Sequence, residues 1–102
     1  MSAIKLSHRY AKSLLDLAIE LSKVEEVYQD VVYIDQAIQS VPELKSLLSN
    51  PVFSTDKKLA VLKTLFADKI QDITWRFIEL VVKKGREKNL VDFGNSFVKK
   101  IS

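Results

Sequence analysis

Residues 6–21 repeat at a helical period, and their apolar share is too wide for a helix that lies on a surface. Set about 100° apart, Leu6, Leu17, Tyr10, Leu21, Leu14, Ala18, Ala11, Leu15 and Ile19 sweep roughly 220° of the helix. Arg9, Lys12, Ser13, Asp16, Glu20 and Lys23 keep a polar back, and Ser7, His8 and Ser22 interrupt the arc only near its ends. A helix with one face on a core needs an apolar stripe of about 100° or a little more. This segment must therefore be covered on two sides. Neighbours in the same chain supply both covers in a bundle; alternatively, one cover comes from outside. Periodicity alone does not separate the two.

The helical period continues to the end of the chain and predicts six helices and no strands, an all-α six-helix bundle in one domain over residues 1–102. The first helix is expected over 6–22 and the second over 24–40. The second carries Val24, Val27, Val31, Ile34, Ala37, Ile38 and Val41 on one stripe. Pro42 opens a short third helix, where its missing N–H does no harm, with Leu44, Leu47 and Leu48 inward. Asn50, held out of the helical region by Pro51, ends it. Ser54 or Thr55 caps a fourth helix to about residue 67, with Leu59, Val61, Leu62, Leu65 and Phe66 as its apolar face. Asp72 is the expected N-cap of a fifth helix over 73–84, and Gly85 its left-handed terminator. The sixth, over 90–101, turns Leu90, Val91, Phe93, Phe97, Val98 and Ile101 inward.

The fifth helix repeats the anomaly of the first. Leu80, Ile73, Phe77, Val81, Ile78, Val82 and Trp75 cover roughly 220°, leaving Arg76, Glu79 and Lys83 as a narrow polar edge. If the two over-apolar helices lie side by side, their spare edges form a groove of the kind that receives an amphipathic helix.

Composition narrows the function classes. At 102 residues and 47% apolar, the chain can bury one core. A net charge of +3 says little about partners. There is no cysteine, hence no disulfide or thiolate metal site. The first five residues lead into no long apolar run, so no signal peptide is read there, and no stretch approaches a membrane span. No direct membrane insertion is expected.

Signals for chemistry are few. His8 is the only histidine and reads as a solvated or rim residue. Glu25–Glu26 and the Asp68/Asp72 pair sit near helix ends, where acids are ordinary. Gly85 and Gly94 are isolated and cradle no phosphate. Lys83, Lys84, Arg86 and Lys88 suit a helix C-terminus better than a nucleic-acid surface, lacking interleaved aromatics. Trp75 reads as core rather than partner anchor. No catalytic, metal or cofactor site is expected, and no nucleic-acid partner.

Several pieces stand together in a telling order: Arg9-Tyr10-Ala11-Lys12-Ser13-Leu14-Leu15-Asp16-Leu17-Ala18; Leu44-Lys45-Ser46-Leu47-Leu48-Ser49-Asn50-Pro51; Lys57-Lys58; Leu65-Phe66; Phe77-Ile78-Glu79-Leu80-Val81-Val82-Lys83-Lys84-Gly85-Arg86; then Leu90, Val91 and Phe97. In this order and spacing the chain resembles the delta subunit of the rotary ATP synthase, called OSCP in mitochondria. The resemblance spans essentially the whole chain. It implies a non-enzymatic peripheral-stalk subunit whose N-terminal six-helix domain holds the N-terminal helix of an alpha subunit between helices 1 and 5. Family members continue into a C-terminal domain that meets the stalk. The chain is expected to be the N-terminal domain alone, without that C-terminal domain, and to be joined to the stalk b subunit only through it. The implied place is peripheral, at the cytoplasmic face of a bacterial inner membrane, or on the matrix side in mitochondria.

On this reading the groove residues are Tyr10, Ala11, Leu14 and Ala18 on helix 1, and Ile78, Val81 and Val82 on helix 5. Ala11 and Ala18 would let a partner backbone approach closely; the same residues also suit close packing inside the bundle. Two other classes stand beside this one: a helical adaptor for a different amphipathic helix, and a small basic nucleic-acid binder.

Overall fold

The computed structural model describes the backbone of residues 3–101 and the side chains of residues 8–94, 96 and 97. Six α-helices and one 3₁₀ turn follow one another: α1 (Ala3–Glu20), α2 (Val24–Ser40), α3 (Pro42–Ser49), α4 (Thr55–Phe66), α5 (Asp72–Lys83), the turn Glu87–Asn89 and α6 (Leu90–Ile101). No strand occurs among the described residues. The all-α bundle is therefore as expected, and only the 3₁₀ turn is new. The expected inward positions Leu6, Val98 and Ile101 have side chains outside the described residues.

The boundaries follow from local chemistry. Ser54 adopts extended backbone and its Oγ accepts the N–H of Lys57 at 3.1 Å, satisfying a free donor of the first turn of α4. Pro42 stands at the start of α3, as expected. At the end of α5, Gly85 takes φ +72°; its N–H bonds Val82 and the Arg86 N–H bonds back to Val81. That left-handed cap needs a residue free of Cβ strain.

Helix α1 begins and ends before the expected 6–22, and the start of α5 differs in its chemistry. Asp72 is the first residue of α5 rather than its cap; the cap position is Gln71, which makes no side-chain capping bond. The cap comes from another helix. Asp30 of α2, buried, accepts the Gln71 N–H and the Thr74 hydroxyl, both at 2.8 Å, through Oδ2. Asp72 is released to the surface, where it pairs with Arg76 one turn on.

Helix α6 forms the axis, packed chiefly against α1 and α2. Gly94 permits the close approach to α2, since a Cβ there would lie 2.6 Å from the Asp35 Cβ. Ala11 and Ala18 are fully buried on α1. The core combines Leu14, Val27, Val31, Ile38, Leu48, Leu62, Phe66, Val81, Val82 and Phe97, each nearly or wholly out of solvent. A row of rings crosses it: Tyr10 meets Phe77 edge-on at 5.9 Å, Phe77 lies 5.0 Å from Phe93, and Phe93 lies 5.9 Å from Phe97. These contacts join α1, α5 and α6. Two residues expected inward are exposed, Val41 and Leu65, and Val24, Ala37, Leu59, Val61 and Val91 are only half-buried.

Candidate functional site

The helix wheels of α1 and α5 hold one region that the bundle leaves uncovered. Leu17 and Leu21 follow α1 at 43% and 49% exposure, and Leu80 on α5 is 48% exposed. With Tyr10, Leu14, Ile73 and Phe77 they line a trough between the two helices, about 840 Å³ in volume. Packing voids inside proteins rarely exceed one water molecule, so this is a groove and not a defect. Arg9, Lys23, Gln71, Asp72, Arg76, Lys84 and Arg86 surround the apolar floor.

The wheel arithmetic explains its position. On α5, Thr74, Val81, Ile78 and Val82 occupy about 100° of arc and face the core. Leu80, Ile73 and Phe77 occupy the adjoining 60° or so, toward Arg76. On α1, Ala18 and Ala11 point into the bundle, Tyr10 and Leu14 stand at the boundary, and Leu17, with Leu21 just past the helix end, extends the arc into the groove. On the other flank of α1, Leu15 packs partly on the core and Ile19 is open to solvent.

Of the seven residues expected in the groove, Tyr10 and Leu14 line it. Ala11, Ala18, Ile78, Val81 and Val82 do not; each is at most 2% exposed and turns into the core. The reason is geometric. A wide arc has two edges, and residue identity does not say which edge the neighbouring helices cover. Sequence reasoning missed Leu17, Leu21, Ile73, Phe77 and Leu80 as liners, although all five were counted in the apolar arcs. Residue type alone gives no signal: β-branched Ile73 lines the groove, and Leu14, also a liner, is itself buried.

One end of the groove is built by the cap of α5. Because Gly85 reverses the chain, Arg86 returns toward α1, and its Nη1 donates to the Tyr10 hydroxyl at 2.9 Å. Tyr10 is thereby held from two sides, by Arg86 and by the Phe77 ring. The 3₁₀ turn that follows is anchored by a buried ion pair, Lys58 Nζ to Glu87 Oε1 at 2.6 Å, which ties it to α4. Glu87 Oε2 has no hydrogen-bond partner among the described residues. Nothing in the sequence pattern had singled out this pair.

The remaining signals fall into place. His8 is exposed. Trp75 is half-buried against the core, on the side of α5 away from the groove floor. Lys83 lies 3.8 Å from Glu79, within one helix. No helix among the described residues is long and apolar enough to cross a membrane. Among those residues no group of three His, Cys, Asp or Glu is placed to hold a metal ion.

Comparison with known proteins adds to this geometry. The family model of the ATP synthase delta (OSCP) subunit matches residues 6–102. The ATP synthase subunit delta of Cytophaga hutchinsonii is 33% identical over 97 residues, covering 95% of this chain and 53% of that protein. The subunit delta of Carboxydothermus hydrogenoformans is 34% identical over 101 residues, covering 99% and 56%. A chloroplastic subunit delta from Ochrosphaera neapolitana is 30% identical over 98 residues, covering 96% and 55%. The chain thus spans about half the length of the curated relatives it matches.

Proposed function

The chain belongs to the ATP synthase delta (OSCP) subunit family, and from that premise we propose that its α1–α5 groove seats the N-terminal helix of an alpha subunit. The domain is then a mechanical connector. Torque from the central shaft acts on the catalytic head, and the peripheral stalk holds the head still. Such work requires a stable contact and no bond chemistry. The b subunit of the stalk meets the protein through parts outside this chain, and the assembly lies at the membrane surface, on the cytoplasmic or matrix side.

The observation that carries this reading is the line of half-exposed leucines, Leu17, Leu21 and Leu80, along a trough already floored by Phe77 and Ile73. Three large apolar side chains in one trough favour an apolar cover. An incoming helix with anchors at i, i+3 or i+4, and i+7 matches such a trough. Fully burying one such side chain contributes about 1.5–3 kcal/mol, part of which is lost to rigid-body and side-chain ordering. A single groove therefore holds an isolated peptide moderately, and attachment through the rest of the stalk adds avidity.

Leu80→Gln tests the reading by calorimetric titration with an alpha-subunit N-terminal peptide. About half of the Leu80 surface remains to be covered, so affinity should fall roughly five- to tenfold. Leu65→Gln, at a similarly exposed leucine on α4, should leave affinity unchanged. Equal loss in both variants, or none in Leu80→Gln, contradicts the proposal.

A further inference from the structure

We infer that the helix seated in this groove carries carboxylates beside its apolar stripe, placed against the part of the rim nearest Tyr10. The inference rests on the groove reading above and adds the charge of the occupant. Five cations surround the floor (Arg9, Lys23, Arg76, Lys84 and Arg86) against a single acid, Asp72. Their charge is unevenly spent. Arg76 pairs with Asp72 at 2.8 Å, and Lys23 lies 3.8 Å from Glu26.

Near Tyr10 the balance is different. Arg86 gives one N–H to the Tyr10 hydroxyl, a neutral acceptor that cancels no charge. Arg9 precedes Tyr10 in the chain, and Lys84 lies two residues before Arg86. None of these three has a carboxylate within ion-pair distance among the described residues. The C-terminus of α5 offsets only about half an elementary charge, against three. A partner bringing carboxylates to this place would gain charge-assisted hydrogen bonds, in which guanidinium groups excel. A phosphate backbone could meet the same cations, but it would leave Leu17, Leu21 and Leu80 uncovered. The combination of an apolar floor and an uncompensated basic rim points to an acidic amphipathic helix of a protein.

The test uses three fluorescein-labelled helical peptides of about five turns. They share one leucine stripe and differ only in flanking residues: Glu, Gln or Lys. Anisotropy titrations are run in about 20 mM and about 500 mM salt, which span strong and weak screening. In low salt the Glu peptide should bind about fivefold tighter than the Gln peptide, as two partly exposed ion pairs would give, and the Lys peptide should bind weakest. High salt should close the gap. In an Arg9→Gln/Lys84→Gln double variant, which keeps Arg86, the gap between the Glu and Gln peptides should narrow to less than about twofold. Equal affinities for Glu and Gln peptides in low salt would overturn the charge inference and leave the groove intact. Failure of every peptide to bind would overturn the groove reading, and this inference with it. Displacement of the Glu peptide by a short DNA duplex would mark the rim as a general polyanion site and also overturn it.

Discussion

Ser22 and Gly85 close their helices with the same hydrogen-bond pattern, yet only one has the side chain that the geometry favours. After α1 the N–H of Ser22 bonds Ile19 and that of Lys23 bonds Ala18, as Gly85 and Arg86 do after α5. Ser22 takes φ +56° to make the turn. For a residue with a Cβ, that region carries a penalty of about 1–2 kcal/mol, which glycine escapes at the cost of a freer unfolded chain. Ser22→Gly is therefore expected to stabilise the domain by about 0.5–1 kcal/mol, read as a higher urea midpoint with an unchanged slope. A lower midpoint would mean that the serine hydroxyl does more at this turn than the backbone pattern reveals. Gly85 was legible in the sequence because glycine beside a cationic helix end is a specific sign. Ser22 was not, since serine marks no one conformation and the pattern around it is only the end of an apolar run.

At the scale of elements, the bundle holds its helices by polar contacts that periodicity does not encode. Asp30 joins α2 to the first turn of α5, and Lys58 with Glu87 joins α4 to the 3₁₀ turn. Both depend on residues 29 to 44 positions apart in the chain. The helices themselves were legible from their period, and most ends fell within a few residues of the expected places. The cap of α5 was misplaced because Asp72 had the right residue type at the right spot, while Asp30 supplied the function from elsewhere. Removing that carboxylate leaves the Gln71 N–H and the Thr74 hydroxyl without their acceptor. Asp30→Ala should then lower stability by about 1–3 kcal/mol and speed amide exchange at the start of α5. Pairing it with Thr74→Val should recover part of the loss, because removing both partners leaves fewer unmatched groups. Full additivity of the two changes would argue against the bond as the link between these helices.

For the whole molecule, the sequence already held the surplus of apolar surface on the first and fifth helices. Their surplus does produce a groove, and its floor does face solvent. What remained illegible was the flank. Ile78, Val81 and Val82 and the leucine side of α5 look alike on a wheel, and only the positions of α2, α4 and α6 decide which is covered. The sequence also implied the family, through the order of many weak pieces rather than any single motif. The claim that unites these levels is that a partner helix lies along Leu17, Leu21, Ile73, Phe77 and Leu80. The most direct measurement is an NMR titration of the isotope-labelled chain with an alpha-subunit N-terminal peptide. Saturable shifts confined to the groove faces of α1 and α5, with contacts from the peptide to these five side chains, are the predicted result. Shifts gathered on α2 and α4, or no response at peptide concentrations well above those of the protein, would contradict it.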